Sequence, residues 1–455
     1  MTNQASDPLA WLTLAEAGRR FRSGELSPVD LVRALLARIE RLDGRCHAFL
    51  RLMPEAALAQ ASAAEAEIRA GRSRGPLHGI PYALKDLVDV AGVPTTCNSK
   101  ILADNVARAD AALVRRLREA GAILMGKATL HEFATGGAMF GLPWPAARNP
   151  WNLALHPGGS SSGCGTAVAA GFVPAAIGTD TGGSVRHPAT ACGIVGMKPT
   201  YGRVSVEGVF PLAPSLDHVG PMTRTVEDNA LLLEAMAGGD FTRELRAGVR
   251  GLRLGLVEHF YTEDAAADAD HVRGLQDAVR VLRELGAEVH PVRLPRLSEW
   301  TDCGRVIQGF EQYRVHAHWL ATRAQDYSDM ARARFSAGAA ISSEQVEKAR
   351  QQRENLAEQF AAVMRDYDAL LTLSSLELPC SADDPAAVQK TYARQARMPF
   401  NLTGTPALSV PTGFTREGLP VGMQIAGKTH DEAMVYRVGW AYEQATQWME
   451  RQPPL

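Results

Sequence analysis

Through residues 13–71 apolar positions recur with the period of a helix. Leu31, Leu35, Leu36 and Ile39 share one face, and Ser27-Pro28 offers an N-cap followed by proline at the first helical position. Gly24 punctuates the helix before it. From Gly79 the texture changes. Short apolar runs at Ile80–Leu84, Ala122–Met125, Ala175–Ile177, Ile194–Met197, Leu252–Val257 and Val289–Val292 read as strands. Between them lie helical segments such as Ala111–Ala120, Thr166–Gly171 and Val226–Ala237. Residues 295–366 carry long helical patterns without a good strand. Strand-like runs resume at Ala369–Leu373, Leu408–Val410 and Gly422–Ile425, and a helix from Asp431 to about Ala445 follows. This alternation predicts an α/β fold with helices covering both faces of a sheet. The expected organisation is one domain over 1–455. Its parts are N-terminal helices (1–75), a core carrying the chemistry (76–245), a variable helical excursion (295–366) and closing strands with a helix (367–455). Turn-rich stretches at Gly238–Phe241 and Gly248–Gly251 leave a two-domain division near residue 245 open.

Composition narrows the class. The chain has 455 residues, 46% hydrophobic and 22% charged, which reads as a soluble globular protein. A net charge of −2 gives no basic footprint for nucleic acid. No run approaches the ~18 apolar residues of a membrane span. The N-terminus, Met1 to Asp7, has no basic stretch leading into an apolar one, so no secretory leader is expected. Six cysteines lie scattered without zinc-like spacing, which fits reduced thiols in a cytoplasmic protein and predicts neither metal nor organic cofactor.

Three segments carry candidate chemistry. Lys85 follows the apolar run Ile80–Leu84, and a buried lysine loses its proton more readily because desolvation disfavours the ammonium. The competing role is a strand-end lysine paired with Asp86 or Asp89. In Gly178–Pro188, Gly182-Gly183-Ser184 lets successive N–H groups converge beside a serine, as an oxyanion hole requires; a plain tight turn is the alternative. In Pro157–Gly163 the stretch Gly159–Gly163 also matches G-x-S-x-G with Ser161 central, which would call for a histidine base such as His430. Gly121–Ala128 falls short of a phosphate-binding loop, since its interior is an apolar strand and Ala128 stands where a hydroxyl is needed.

Gly158 through Thr200 resembles the signature of the amidase signature family of serine hydrolases. GIPYALKD around Lys85, NPWN at 149–152, Ser215–Asp228, Asn401–Pro411 and Gly418–Ile425 resemble the family's flanking and closing segments, so the likeness covers nearly the whole chain. The resemblance implies a three-layer α/β/α domain around a large mixed sheet. It implies Ser184 as nucleophile, Ser160 as a serine preceded by a cis peptide bond, and Lys85 as base. The spacing from Ser160 to Ser184 is the one the family pattern requires. The N–H groups of Thr181, Gly182, Gly183 and Ser184 would form the oxyanion hole, with Asp180 and Arg186 as supporting residues. The implied substrate is a small-molecule amide, with carbamate or ester cleavage on the same triad as an alternative. A non-catalytic or partner-dependent protein resembling an amidotransferase component is the alternative of another class, and homodimer formation stays open.

Departures bear on substrate. The branch of the family that acts on glutamine in tRNA-dependent amidation carries an acidic ligand shortly before the closing motif. Here Tyr392–Phe400 has no acid, which argues against membership of that branch. His218 stands where many members carry glutamine. Pocket walls are expected from 135–145, 204–215 and 295–345, with Phe140, Trp144, Val209, Phe210 and Trp319 available for an aromatic-tolerant pocket or for core packing.

Overall fold

Among the described residues eleven strands form one mixed sheet: β1 (Phe49–Leu52), β2 (Pro81–Lys85), β3 (Ile123–Ala128), β4 (Ala175–Asp180), β5 (Val195–Lys198), β6 (His218–Thr223), β7 (Arg253–Leu256), β8 (Glu288–Pro291), β9 (Ala369–Leu373), β10 (Ala407–Phe414) and β11 (Pro420–Ala426). The computed structural model describes residues 7–137 and 140–455. Residues 1–6, which contain most of the stretch read for a leader, and Ala138 and Met139 of an expected pocket wall lie outside the described residues.

The strand order is β1-β3-β2-β4-β6-β5-β10-β11-β9-β7-β8. β3, β2 and β4 run parallel, as do β9, β7 and β8; the remaining neighbours are antiparallel. Every residue of β2, β3, β4, β5 and β6 is buried, as strands covered on both faces require. Ser27 caps its helix as predicted, its hydroxyl accepting the Val29 N–H at 3.0 Å.

Two strands depart from the sequence reading. β1 lies inside the region expected to be helical. Phe49, Leu50 and Leu52 fit either period over so short a run, and pairing with the edge of β3 decides for a strand. β6 contains Gly220 and Pro221, poor strand formers, yet is held between β4 and β5. The excursion consists of helices joined by short turns, with α3 (Leu297–Thr322), α4 (Asp329–Ala337) and α5 (Ser343–Met364) its main elements; α1 and α2 denote the short helices Ser162–Ala169 and Arg186–Cys192 of the core.

Candidate active site

β2 and β4 are neighbours and parallel, so their C-terminal ends open on the same edge of the sheet. Lys85 ends β2 and Thr179 lies near the end of β4. Lys85 Nζ is 2.9 Å from Ser160 Oγ and 2.8 Å from Thr179 Oγ1, and all three residues are buried. Burial lowers the Lys85 ammonium to about 7, against small opposing contributions from Cys164, Asp180 and Asp217. No acid pairs with it. Asp86 is ion-paired instead with Lys127, at 2.8 Å, which also accounts for the lysine of the false phosphate loop.

Ser160 follows a cis peptide bond from Gly159. Its carbonyl accepts the His131 N–H at 3.1 Å, and the Ser161 N–H donates to the Ser184 carbonyl at 3.2 Å, which ties the two serine loops together. The Ser161 hydroxyl is committed to the backbone of Thr179, accepting its N–H and donating to its carbonyl, both at 3.2 Å. His430 is exposed and bonds through its N–H to Thr200. The hydroxyl that the G-x-S-x-G alternative needs is therefore already engaged by Thr179, and its candidate base His430 is engaged with Thr200.

Ser184 is partly exposed just before α2 and lines a cleft of about 500 Å³ with Thr181, Gly182 and Gly183. The turn that carries it is built on Asp180. The Asp180 carboxylate accepts N–H bonds from Gly183 (2.8 Å) and Val185 (3.2 Å), from Asn401 Nδ2 (2.9 Å) and from Arg186 Nε (3.0 Å) and Nη2 (2.9 Å). Asp180 and Arg186 are both fully buried, so they are a core brace and not a surface pair. Burial would raise the Asp180 carboxyl, but the charge and hydrogen bonds of Arg186, with Asn401 and Lys198, hold it well below the usual carboxylate range. Of the four N–H groups expected to serve as oxyanion donors, that of Gly183 donates to Asp180, whereas those of Thr181, Gly182 and Ser184 have no acceptor among the described residues. His218 serves this brace from behind: its Nδ1 lies 2.7 Å from the Leu216 carbonyl and 3.2 Å from that of Asp180, and burial holds it well below its ordinary value.

Several residues around the serines were not singled out as site residues from the sequence, because distant segments supply them. Asn401 and Gln424 hold the Asp180–Arg186 pair, Gln424 Oε1 accepting Arg186 Nη1 at 2.8 Å. His131, His156 and His187 crowd the Gly158–Ser160 turn with Tyr392, whose hydroxyl is 3.1 Å from His131 Nδ1. Burial lowers all three imidazoles, His156 to about 4. A Cβ at Gly159 would collide with His131 and the Tyr392 hydroxyl.

The cleft wall also differs from expectation. The excursion supplies much of it, including Gln308, Gln312 and Arg334, and the Tyr392–Met398 loop adds Arg397. The anticipated aromatic lining lies elsewhere. Trp319 stacks on Phe210 and on Phe133, which meet each other at a tilt, Val209 and Phe210 border a second cavity of about 60 Å³ that shares Ala134, Thr181 and Leu212 with the cleft, and Phe140 is exposed. Aromatic side chains pack best with one another, which draws them into this satellite core. Among the described residues no cluster of His, Cys, Asp or Glu could hold a metal ion, and no helix is long and apolar enough to cross a membrane.

Comparison with known proteins places this geometry in context. A family model described as Amidase matches residues 30–436. A glutamyl-tRNA(Gln) amidotransferase subunit from Chloroflexus aggregans is 38% identical over 487 residues, covering 98% of this chain and 99% of that one. Its counterpart from Geobacter metallireducens is 38% identical, covering 96% and 98%. Among solved structures, the native peptide amidase of Stenotrophomonas maltophilia superposes with a TM-score of 0.85 at 32% identity, covering 99% of each chain. A bacterial aryl acylamidase belonging to the amidase signature enzymes superposes with a TM-score of 0.88 at 26% identity, covering 97% of this chain and 98% of the other.

Proposed function

The chain belongs to the amidase signature family and acts on carbon–nitrogen amide bonds; from that premise we propose that it hydrolyses a small-molecule carboxylic amide through Ser184, with Ser160 as relay and Lys85 as base. The observation that carries this reading is a buried lysine, brought to about 7 by desolvation, 2.9 Å from the hydroxyl of Ser160. A neutral amine has two N–H groups and one lone pair. Lys85 donates to Thr179 Oγ1 and accepts from Ser160. Ser160 in turn accepts the proton of Ser184, whose Oγ forms a bond to the amide carbon. The carbonyl electron pair moves onto oxygen, where the N–H groups of Thr181, Gly182 and Ser184 receive it. On collapse the C–N bond breaks, and the proton held by Lys85 passes through Ser160 to the leaving nitrogen. Water then attacks the acyl-enzyme by the same relay, releasing the carboxylic acid and restoring Ser184. Asp180 and Arg186 act as positioning residues that fix the turn. Carbamates and esters fit the same steps. The proposal includes one domain over 1–455 and a cytoplasmic setting.

A second reading, a partner-dependent component of an amidotransferase, is favoured by the names of the Chloroflexus and Geobacter relatives. Against it stands the cleft, which has no acidic side chain among its described lining residues. Purified chain alone, given an aryl amide and a fluorophosphonate, separates the two. Expected are aryl amine release and an adduct on the Ser184 peptide that is absent in Ser184→Ala and kept in Ser161→Ala. An adduct on Ser161 sinks the lysine mechanism. Turnover that requires a partner protein establishes the second reading.

A further inference from the structure

Among the described residues, the cleft beside Ser184 is lined by three arginines, Arg305, Arg334 and Arg397, and by no aspartate, glutamate or lysine. Only Arg305 has an acidic partner, Asp302 at 3.1 Å, and it is 73% exposed. Arg334, in the last turn of α4, donates to the Thr135 carbonyl and to Gln389 Oε1, both neutral. Arg397 is 1% exposed. Its Nη1 donates to the Ser374 carbonyl at 2.9 Å and to Ser375 Oγ at 2.8 Å, and its buried Nε has no partner. Its stem lies where a Cβ of Gly183 would be, directly beside the nucleophile turn. Asp180, the carboxylate nearby, is already committed to Arg186.

A guanidinium withdrawn from water without a counter-charge is costly, and burial accordingly lowers both groups, Arg397 to about 9. The side chains are nonetheless held in place by neutral acceptors, which orient them without cancelling their charge. A cleft lined by one sign of charge concentrates ligands of the other. The planar fork of a guanidinium matches a carboxylate, and an ammonium entering here would find no anion to meet it. We infer that this enzyme takes amides that carry a carboxylate and lack an ammonium group, the carboxylate being received by Arg334 and Arg397. The inference rests on the proposed amidase reading and names the substrate class of that site.

The probes are monoamides of the dicarboxylic acids from malonic to adipic. Each is compared with the alkanamide of the same chain length, and glutaramate also with L-glutamine, which adds only the α-ammonium. For at least one chain length, kcat/KM for the monoamide should exceed that for the alkanamide by about ten-fold or more, and glutaramate should exceed glutamine. The preference should shrink as salt is added. In Arg334→Gln and in Arg397→Gln the ratio should fall toward one, and Arg334→Lys should keep part of it. Arg397→Gln removes a buried side chain, so Arg334→Gln carries the test if that variant fails to fold. A second measurement needs no turnover: glutarate, but not its diamide, should raise the Tm of the full chain, and Arg334→Gln should abolish the rise. An active, Ser184-labelled enzyme that prefers alkanamides or glutamine at every length, or is not stabilised by glutarate, overturns the inference while leaving the amidase reading intact. Loss of Ser184 labelling together with all hydrolysis removes the amidase reading instead.

Discussion

An exposed lysine keeps its proton throughout the physiological range, whereas Lys85, sealed between β2, β4 and the cis-serine loop, is brought down to about 7 from an ordinary value of 10.5. Below that point the ammonium has no lone pair to accept the Ser160 proton. The kcat/KM should therefore rise with pH through about 7 and level off above it, and a flat profile with chemistry limiting would contradict a titrating lysine. The same shift acts on stability. Between about 7 and 10.5 the unfolded chain binds one proton more than the folded one, so stability from this group rises with pH across that window. Lys85→Met should remove that slope in denaturant titrations. Ser184→Ala and Lys85→Ala should each lower kcat by about three orders of magnitude or more, and the double variant should be little worse than either, because the groups act as a unit. The burial of Lys85 was legible in the apolar run before it, and its bond to Thr179 was not. Thr179 reaches Lys85 only because two parallel strands end side by side.

The element that concentrates the site is the turn from β4 into α2. Its glycines signalled converging N–H groups, but the sequence offered no reason to expect a carboxylate bonded to the Gly183 N–H. That follows from the carboxylate of Asp180 folding back under the turn. Asp180→Asn leaves Arg186 buried without a counter-charge, a loss of about 3–5 kcal/mol. Denaturant midpoints should show it, and kcat should fall with the disordered turn; an unchanged midpoint would mean that the pair carries no such load. Gly183 has φ +120° and no room for a Cβ against Arg397. Gly183→Ala should therefore damage kcat more than an alanine at Gly182, whose nearest neighbour, the Met398 methyl, is 3.1 Å away and flexible.

Across the whole molecule, the excursion is fastened to the core through Glu132. The buried Glu132 carboxylate accepts the Ser99 hydroxyl at 2.6 Å and, at the N-cap of α4, the Ser328 hydroxyl at 2.6 Å and N–H at 3.0 Å. Because α3 and α4 wall the cleft, loosening this tie should be felt in substrate binding before it is felt in chemistry. Glu132→Ala should raise KM several-fold with a smaller change in kcat; equal losses in kcat and kcat/KM would show that the tie serves the reaction itself. The excursion's helical content was plain from periodicity, and its contribution to the pocket was anticipated. The polar, cationic character of that wall was not, since aromatic residues in the same segments turn away into a cluster of their own.

Whatever depends on local pattern or on a contiguous motif could be read from the chain alone. The alternation of strands and helices, the caps, the glycine turns and the candidate side chains Lys85, Ser160 and Ser184 all belong here, because period, turn chemistry and side-chain type act over a few residues. Packing between distant segments set the rest. β1 and β6 are strands because neighbours pair with them, against or without local preference. Lys127, not Lys85, neutralises Asp86 because β3 brings it there. Burial sets the proton affinities of Lys85 and the three histidines, Arg186 overrides it at Asp180, and both depend on everything packed around a group. The charge of the cleft is likewise fixed by residues from α3, α4 and the loop before β10, which meet only when the sheet is complete.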